Sequence, residues 1–193
     1  QRIVKYKKRK TMKYLIVSIF LLISSQIFGQ EFHVPGDTIR GDSATYYFTA
    51  HYPQFGNLFM TVHNASNVDS TLEMYFDDNR IVPNDWELTS TSLFSLDDVA
   101  DLVRNELTTT EYNQLKGGQG FLGIDVVADQ AGNALELTFL IRREDPVFAR
   151  MNSNRWFKLE KKLKNILKMR ISPLDRRIVN IKYTLGIYFQ DWK

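Results

Sequence analysis

The chain has 193 residues, 44% hydrophobic and 13% aromatic, with no cysteine and a formal net charge of +3. The lack of Cys excludes disulfide staples, thiol catalysis and a lipidated N-terminal cysteine, so a stable fold must rest on a buried core. The positive sum is local: the first 30 residues hold seven Lys or Arg and no acid, which leaves 18 basic against 22 acidic residues and a net charge of −4. The usual step from a basic chain to nucleic-acid binding therefore has no basis.

Residues 1–11, QRIVKYKKRKT, carry six basic residues ahead of Met12 and are expected to be an over-extended N-terminus rather than part of a domain. Residues 12–29 then read as an export signal, in which a basic start ends at Lys13 and an apolar run spans Tyr14 to Phe28. That run falls short of the roughly 20 residues that cross a bilayer as a helix, which favours cleavage near Gly29 and a periplasmic or secreted product. Ile27 stands where a small residue is expected two before Gly29, so retention as a short anchor is the other outcome.

Residues 30–94 form a β-rich N-terminal region. The runs ATYYFTAHY (44–52), NLFMTVHN (57–64) and TLEMYF (71–76) are aromatic and β-branched. Turn residues separate them, at Pro53 to Asn57, at Asn67 to Ser70 and around Asp77 to Asn79 with Pro83 to Asp85. A small meander is the expected arrangement.

Residues 95–193 read as an α+β domain. Ser95 with Asp98 makes a capping-box start, and Val99, Leu102, Val103 and Leu107 follow at helical spacing. A second helical turn is expected over Glu111 to Lys116, ending at Gly117 and Gly118. FLGIDVVAD (121–129) and ALELTFLIRR (134–143) flank QAGN and predict a hairpin with one face buried. From Pro146 a helical pattern runs to about Arg170, with Trp156, Leu159, Leu163, Ile166 and Leu167 on one arc. Opposite lies a basic face of Lys158, Lys161, Lys162, Lys164 and Lys168. Pro173 blocks continuation, and IVNIKYTLGIYF (178–189) alternates as a further strand. The expected architecture is an antiparallel sheet whose strand-strand-helix-strand C-terminal half packs under the amphipathic helix, preceded by the β-rich extension.

Charge is divided along the chain. Residues 31–140 hold four basic and 17 acidic residues, whereas 141–193 hold 14 basic and five acidic. Such asymmetry marks either a basic partner-binding tail or two parts of one fold that attract each other, and the second reading is preferred. The lysine face is expected to be solvated or to meet protein; contact with an anionic membrane surface is a weaker alternative.

The order helix, strand, glycine turn, strand, long helix, strand from Ser95 to Phe189 resembles the C-terminal domain of TonB-type energy transducers. The likeness is carried by GFLGIDVVADQAGNALELTFLIRR, with its glycine-led strand and Asp-x-x-Gly hairpin, and by KYTLGIYF, a Tyr-containing apolar strand ending in Phe. The resemblance implies that the last strand is an open sheet edge that takes up an extended receptor peptide, which places the candidate binding edge at Asn180, Ile181, Lys182, Tyr183 and Thr184. The energised members of that family keep a membrane helix, a Pro-rich spacer and a Trp-x-Pro segment. This chain has only five Pro and carries Met169-Arg170-Ile171-Ser172-Pro173 before its last strand, so a binding module is expected rather than a force transmitter.

Patterns for other chemistry are missing. His33, His51 and His63 form no short metal-ligand spacing. Asp77-Asp78, and Asp97-Asp98 with Asp101, suit a turn and a helix start better than a catalytic pair. Gly117-Gly118-Gln119-Gly120 lacks the lysine and hydroxyl of a phosphate loop. Asp125 and Asp129 with Gly132 lack the ligands of a calcium loop, and no Gly-x-Ser-x-Gly elbow occurs. Asn64-Ala65-Ser66 is an acceptor sequon that has meaning only in a eukaryotic secretory pathway. The expectation is an exported, non-enzymatic binding protein with a protein or peptide partner, no cofactor and no metal. The alternatives are a secreted hydrolase of envelope polymers that gathers the histidines with Asp77 or Asp97 in a concave pocket, and a purely structural envelope component.

Overall fold

A computed structural model of the protein describes residues 32–51, 58–68, 73–118 and 120–191. The expected export signal and the turn at Pro53 to Asn57 lie outside the described residues. No described helix is long and apolar enough to cross a membrane.

Strands β1 (Thr38–Arg40), β2 (Thr45–His51) and β3 (Phe59–Asn64) form a meander, in which β2 and β3 are the expected runs at 44–52 and 57–64. The short edge strand β1 gave no sequence signal, because three residues are too few for alternation to register. The described part of the expected strand at 71–76 is not a strand: Tyr75 bridges to Ile81 and Phe76 to Ile178, with Asn79 at φ 63° in the turn between. The two-residue β4 (Thr91–Ser92) follows.

Both expected helices are present. Ser95 and Asp98 form the capping box of α1 (Leu96–Asn105), and Thr108 and Glu111 form a second one for α2 (Thr109–Gly117). Each box satisfies orphan amides at the helix start. Val99 and Val103 of α1 are buried, as their spacing requires. The predicted hairpin is β5 (Phe121–Ala128) and β6 (Ala134–Arg142), turned by Gly132 at φ +84°. Asp129 fastens the turn by accepting from the amides of Ala131 (2.9 Å) and Asn133 (2.8 Å).

The long helix differs from expectation. α3 covers Ser153–Ile166, starts at Asn152, whose side chain accepts from the Arg155 amide, and stops four residues before Arg170. Leu167 leaves the helical region, and β7 (Met169–Arg170) pairs with β4. The backbone there finds other partners: the Lys168 carbonyl accepts from the Leu93 amide (2.9 Å), and the Met169 amide donates to the Gly132 carbonyl (2.8 Å). Tertiary bonds replace the helical ladder.

β8 (Ile181–Tyr188) closes a six-stranded antiparallel sheet in the order β1-β2-β3-β6-β5-β8. The N-terminal meander thus joins the C-terminal hairpin through β3 and β6. One sheet face carries the core. Tyr46, Phe48, Met60, Val62, Leu122, Ile124, Leu137, Phe139, Ile141 and Ile187 meet Val99 and Val103 of α1, Leu115 of α2 and Trp156, Leu159 and Leu163 of α3. A smaller cluster, including Phe76, Val82, Met169, Ile178 and Ile181, packs where the 73–82 turn meets the start of β8.

Candidate functional site

The helices cover one face of the sheet, and the strand registers fix what stands on the other. One row runs Thr184, Asp125, Thr138, His63, Tyr47 from β8 to β2. The next runs Gly186, Gly123, Leu140, Thr61, Thr49. In the third, Tyr188 pairs with Phe121 and Arg142 with Phe59. These side chains follow the period of two and belong to the second face, where Phe59, Thr61, His63, Phe121 and Arg142 are half-buried and Tyr188 is 53% exposed.

The third row builds a cavity of about 280 Å³ lined by Phe59, Gly120, Phe121, Arg142, Tyr188 and Gln190. Phe121 stands edge-on to Phe59, with centroids 5.8 Å apart, and tilted against Tyr188 at 4.9 Å. The Arg142 guanidinium lies 5.8 Å from the Phe59 centroid. In the polar row the Thr184 hydroxyl donates to Asp125 (2.7 Å) and His63 leans on Tyr47 at 5.6 Å. Burial pushes the His63 imidazole below its ordinary pKa.

β8 is the sheet edge on this side, but its two ends differ. At the start, the Asn180 side chain is 3% exposed; it accepts from the Tyr75 amide (3.1 Å) and donates to the Glu73 carbonyl (2.9 Å). Ile181 is fully buried, and the Lys182 amide donates to the Met74 sulfur (3.4 Å). Tyr183 turns to the core face, stacks on Phe94 at 6.3 Å, and is pushed up to about 12 by burial. Residues 73–75 therefore occupy the stretch that the sequence assigned to a ligand, and of that stretch only Thr184 is exposed. The open part of the edge lies later in the strand. The Lys182 amide points outward and the Phe189 amide points inward to the Gly120 carbonyl, so alternation turns the amides of Thr184, Gly186 and Tyr188 outward. Among the described residues, only β5 pairs with β8 along this part.

Three lysines of the basic face pair within the molecule. Lys158 (2.9 Å) and Lys162 both pair with Glu106 at the end of α1, and Lys164 pairs with Glu160 (2.6 Å). Burial alone would raise the Glu106 carboxyl, and Lys162 and Lys158 outweigh it and hold the group below its ordinary range. Lys161 is exposed, and Lys168 lies beyond the end of the helix. With Arg155 on Glu111 (2.6 Å) and Arg177 on Asp77 (2.8 Å) and Asp78 (2.9 Å), the basic C-terminal part meets the acidic N-terminal part.

The remaining candidates have separate neighbours. His33 lies tilted against Phe48 at 4.7 Å, with Asp37 3.7 Å away; Asp77 and Asp78 sit in the 75–81 turn. His51 ends β2, opposite Phe59. Asp98 caps α1, and Asp97 and Asp101 are exposed on it. Among the described residues no three His, Asp or Glu cluster to hold a metal ion. Asn64 of the sequon is buried and donates to Glu160 (3.1 Å), which closes it to modification in the fold.

Buried acids escaped sequence reading, Asp175 and Glu160 among them. Asp175 is fully buried and accepts from Trp86 Nε1 (3.1 Å), the Thr89 and Ser90 amides (2.8 and 2.7 Å) and the Ser90 hydroxyl (2.7 Å), pinning the 86–90 segment. Glu160, 2% exposed, takes the Tyr46 hydroxyl and Asn64 beneath the sheet. Their partners lie far off in sequence, so only an unusual polar residue on an apolar arc could have hinted at Glu160.

No protein-family model and no curated protein matches the sequence. The solved structures include a crystal structure of a DUF5043 family protein from Bacteroides uniformis ATCC 8492, 16% identical, which superposes with a TM-score of 0.66 over 82% of this chain and 88% of that one. The likeness shows the fold. At this identity it says nothing of site residues, and the site stands on its own geometry.

Proposed function

We propose that the protein is an exported, non-enzymatic binding module that adds an extended peptide or protein strand to the outer edge of β8 between Thr184 and Tyr188. The observation that carries this reading is the row of outward amides at Thr184, Gly186 and Tyr188 on a strand paired on one side only among the described residues. In strand addition, main-chain bonds supply affinity and alternate side-chain pockets supply specificity. The cavity at Tyr188 offers such a pocket. The resemblance to TonB-type C-terminal domains, which put the binding edge on the same strand at 180–184, supports a last strand that takes a ligand, and the apolar run at 14–28 supports export.

The test uses labelled extended peptides and the Gly186→Pro variant. Proline removes an outward amide, while a Cβ at this site meets only the Phe121 and Tyr188 rings at 3.5 and 3.7 Å, ordinary contact. The expected result is lost binding with an unchanged circular dichroism spectrum, and in the wild type slowed hydrogen exchange at Thr184 and Tyr188 on peptide addition. Full binding by the folded variant would sink the reading.

A further inference from the structure

The open stretch of β8 is short, symmetric and unguarded. It runs from Thr184 to Tyr188 between two stops: residues 73–75, which engage Asn180 and Lys182, and the 3₁₀ turn Phe189–Asp191, where the strand ends. Gly186 is its midpoint. Sheet edges are ordinarily blunted by charge, proline, a bulge or brevity. The far edge obeys this, since β1 has three residues and ends in Arg40. Thr184-Leu185-Gly186-Ile187-Tyr188 carries no charge and no proline, and it runs in unbroken register with β5.

A two-fold axis normal to the sheet lays this strand antiparallel to its own copy and continues each sheet face across the join. Centred on Gly186, the register sets Gly186 opposite the second copy's Gly186 and Thr184 opposite its Tyr188. Each such pair exchanges two main-chain bonds, so the three outward residues of both copies make roughly six bonds, whereas moving the centre by one residue leaves roughly four. The ends are complementary too. Just beyond Thr184 stand residues 73–75, and there the second copy leaves the edge through its own 3₁₀ turn. On the second face Tyr188, 53% exposed, leans over Gly186, 3.7 Å from where its Cβ would stand, so the paired glycines lie between two rings. On the helix side, half-buried Leu185 comes opposite the second copy's Ile187. We infer that the resident occupant of this edge is the β8 strand of a second copy, in a two-fold dimer that joins the two six-stranded sheets. The dimer rests on the reading of β8 as an open edge, and a bound peptide displaces the second copy.

Light scattering on the full chain should show its mass rising to twice that of one chain as concentration approaches about 1 mM. Gly186→Pro, which removes the central outward amide, should stay at one chain. Disulfide formation reads the register. The chain has no Cys, so a single introduced one bridges only between copies. At Gly186 the paired Cα atoms stand about 5.5 Å apart, within disulfide range, whereas the two copies of Thr184 are offset by four residues, about 13 Å. In an oxidised glutathione buffer Gly186→Cys is expected to form the covalent dimer at least about tenfold faster than Thr184→Cys. A chain that stays single up to about 1 mM, association that survives Gly186→Pro, or equal cross-linking at the two positions overturns the dimer. Labelled extended peptide separates the two readings. If the chain stays single yet binds peptide at β8, the dimer fails and the edge stands. If the dimer forms, and excess peptide neither binds nor returns the mass to one chain, the peptide reading fails and the dimer stands.

Discussion

The two faces of the sheet are made by the same strands and differ in almost every property. On the helix-covered face stand Tyr46, Phe48, Met60, Val62, Leu122, Ile124, Phe139 and Ile141, all fully buried. One residue along each strand, the other face shows Tyr47, Thr49, Thr61, His63, Phe121, Gly123, Thr138 and Arg142. The first face is chosen for volume and close packing, the second for hydroxyls, rings and charge that remain useful when half wet. A single period-two pattern thus writes both the core and the candidate site, and a one-residue slip of register would exchange them.

The largest expected effect breaks the covered face. Trp156 is fully buried against Phe139 at 4.7 Å and Phe148 at 6.0 Å, so Trp156→Ala should lower the unfolding free energy by about 3–5 kcal/mol in denaturant titration. Phe121→Ala, on the other face, should cost about 1–2 kcal/mol, since that ring is only half-buried and leaves two glycines uncovered rather than a closed void. Equal costs for the two would mean that the second face is packed as tightly as the first. The smallest effect is one of pH. Burial favours neutral His63, so its contribution to stability is complete above the ordinary imidazole value near 6.5 and is lost as pH falls through the lower folded value. His63→Gln should flatten the decline in Tm between about pH 7 and 5. A profile that overlays the wild type would show His63 to be as solvated as in the unfolded chain.

Features that depend on neighbours in sequence were legible. The capping box at Ser95 and Asp98, the Asp129 to Gly132 turn and the alternation of the strand at 178–189 each follow from contacts within a few residues. The candidate edge was legible only in part: that β8 is an edge could be anticipated from its resemblance, but that Asn180 and Lys182 are engaged by residues 73–75 could not. The cavity could not be read either, because Phe59, Phe121, Arg142 and Tyr188 come from four strands that meet only through register.

The sequence by itself determined the capped helix starting at Ser95, the β5–β6 hairpin, the strands β2, β3 and β8 and the apolar side of each, because hydrophobic period, caps and turn residues act over a few positions. Tertiary structure decided where α3 ends, since Lys168 and Met169 exchange the helical ladder for bonds to Leu93 and Gly132. It also decided that the meander joins the hairpin through β3 and β6, and that Asp175 gathers a segment more than 80 residues away. Such pairings compete with many alternatives of similar local energy, and only the burial of the whole core selects among them.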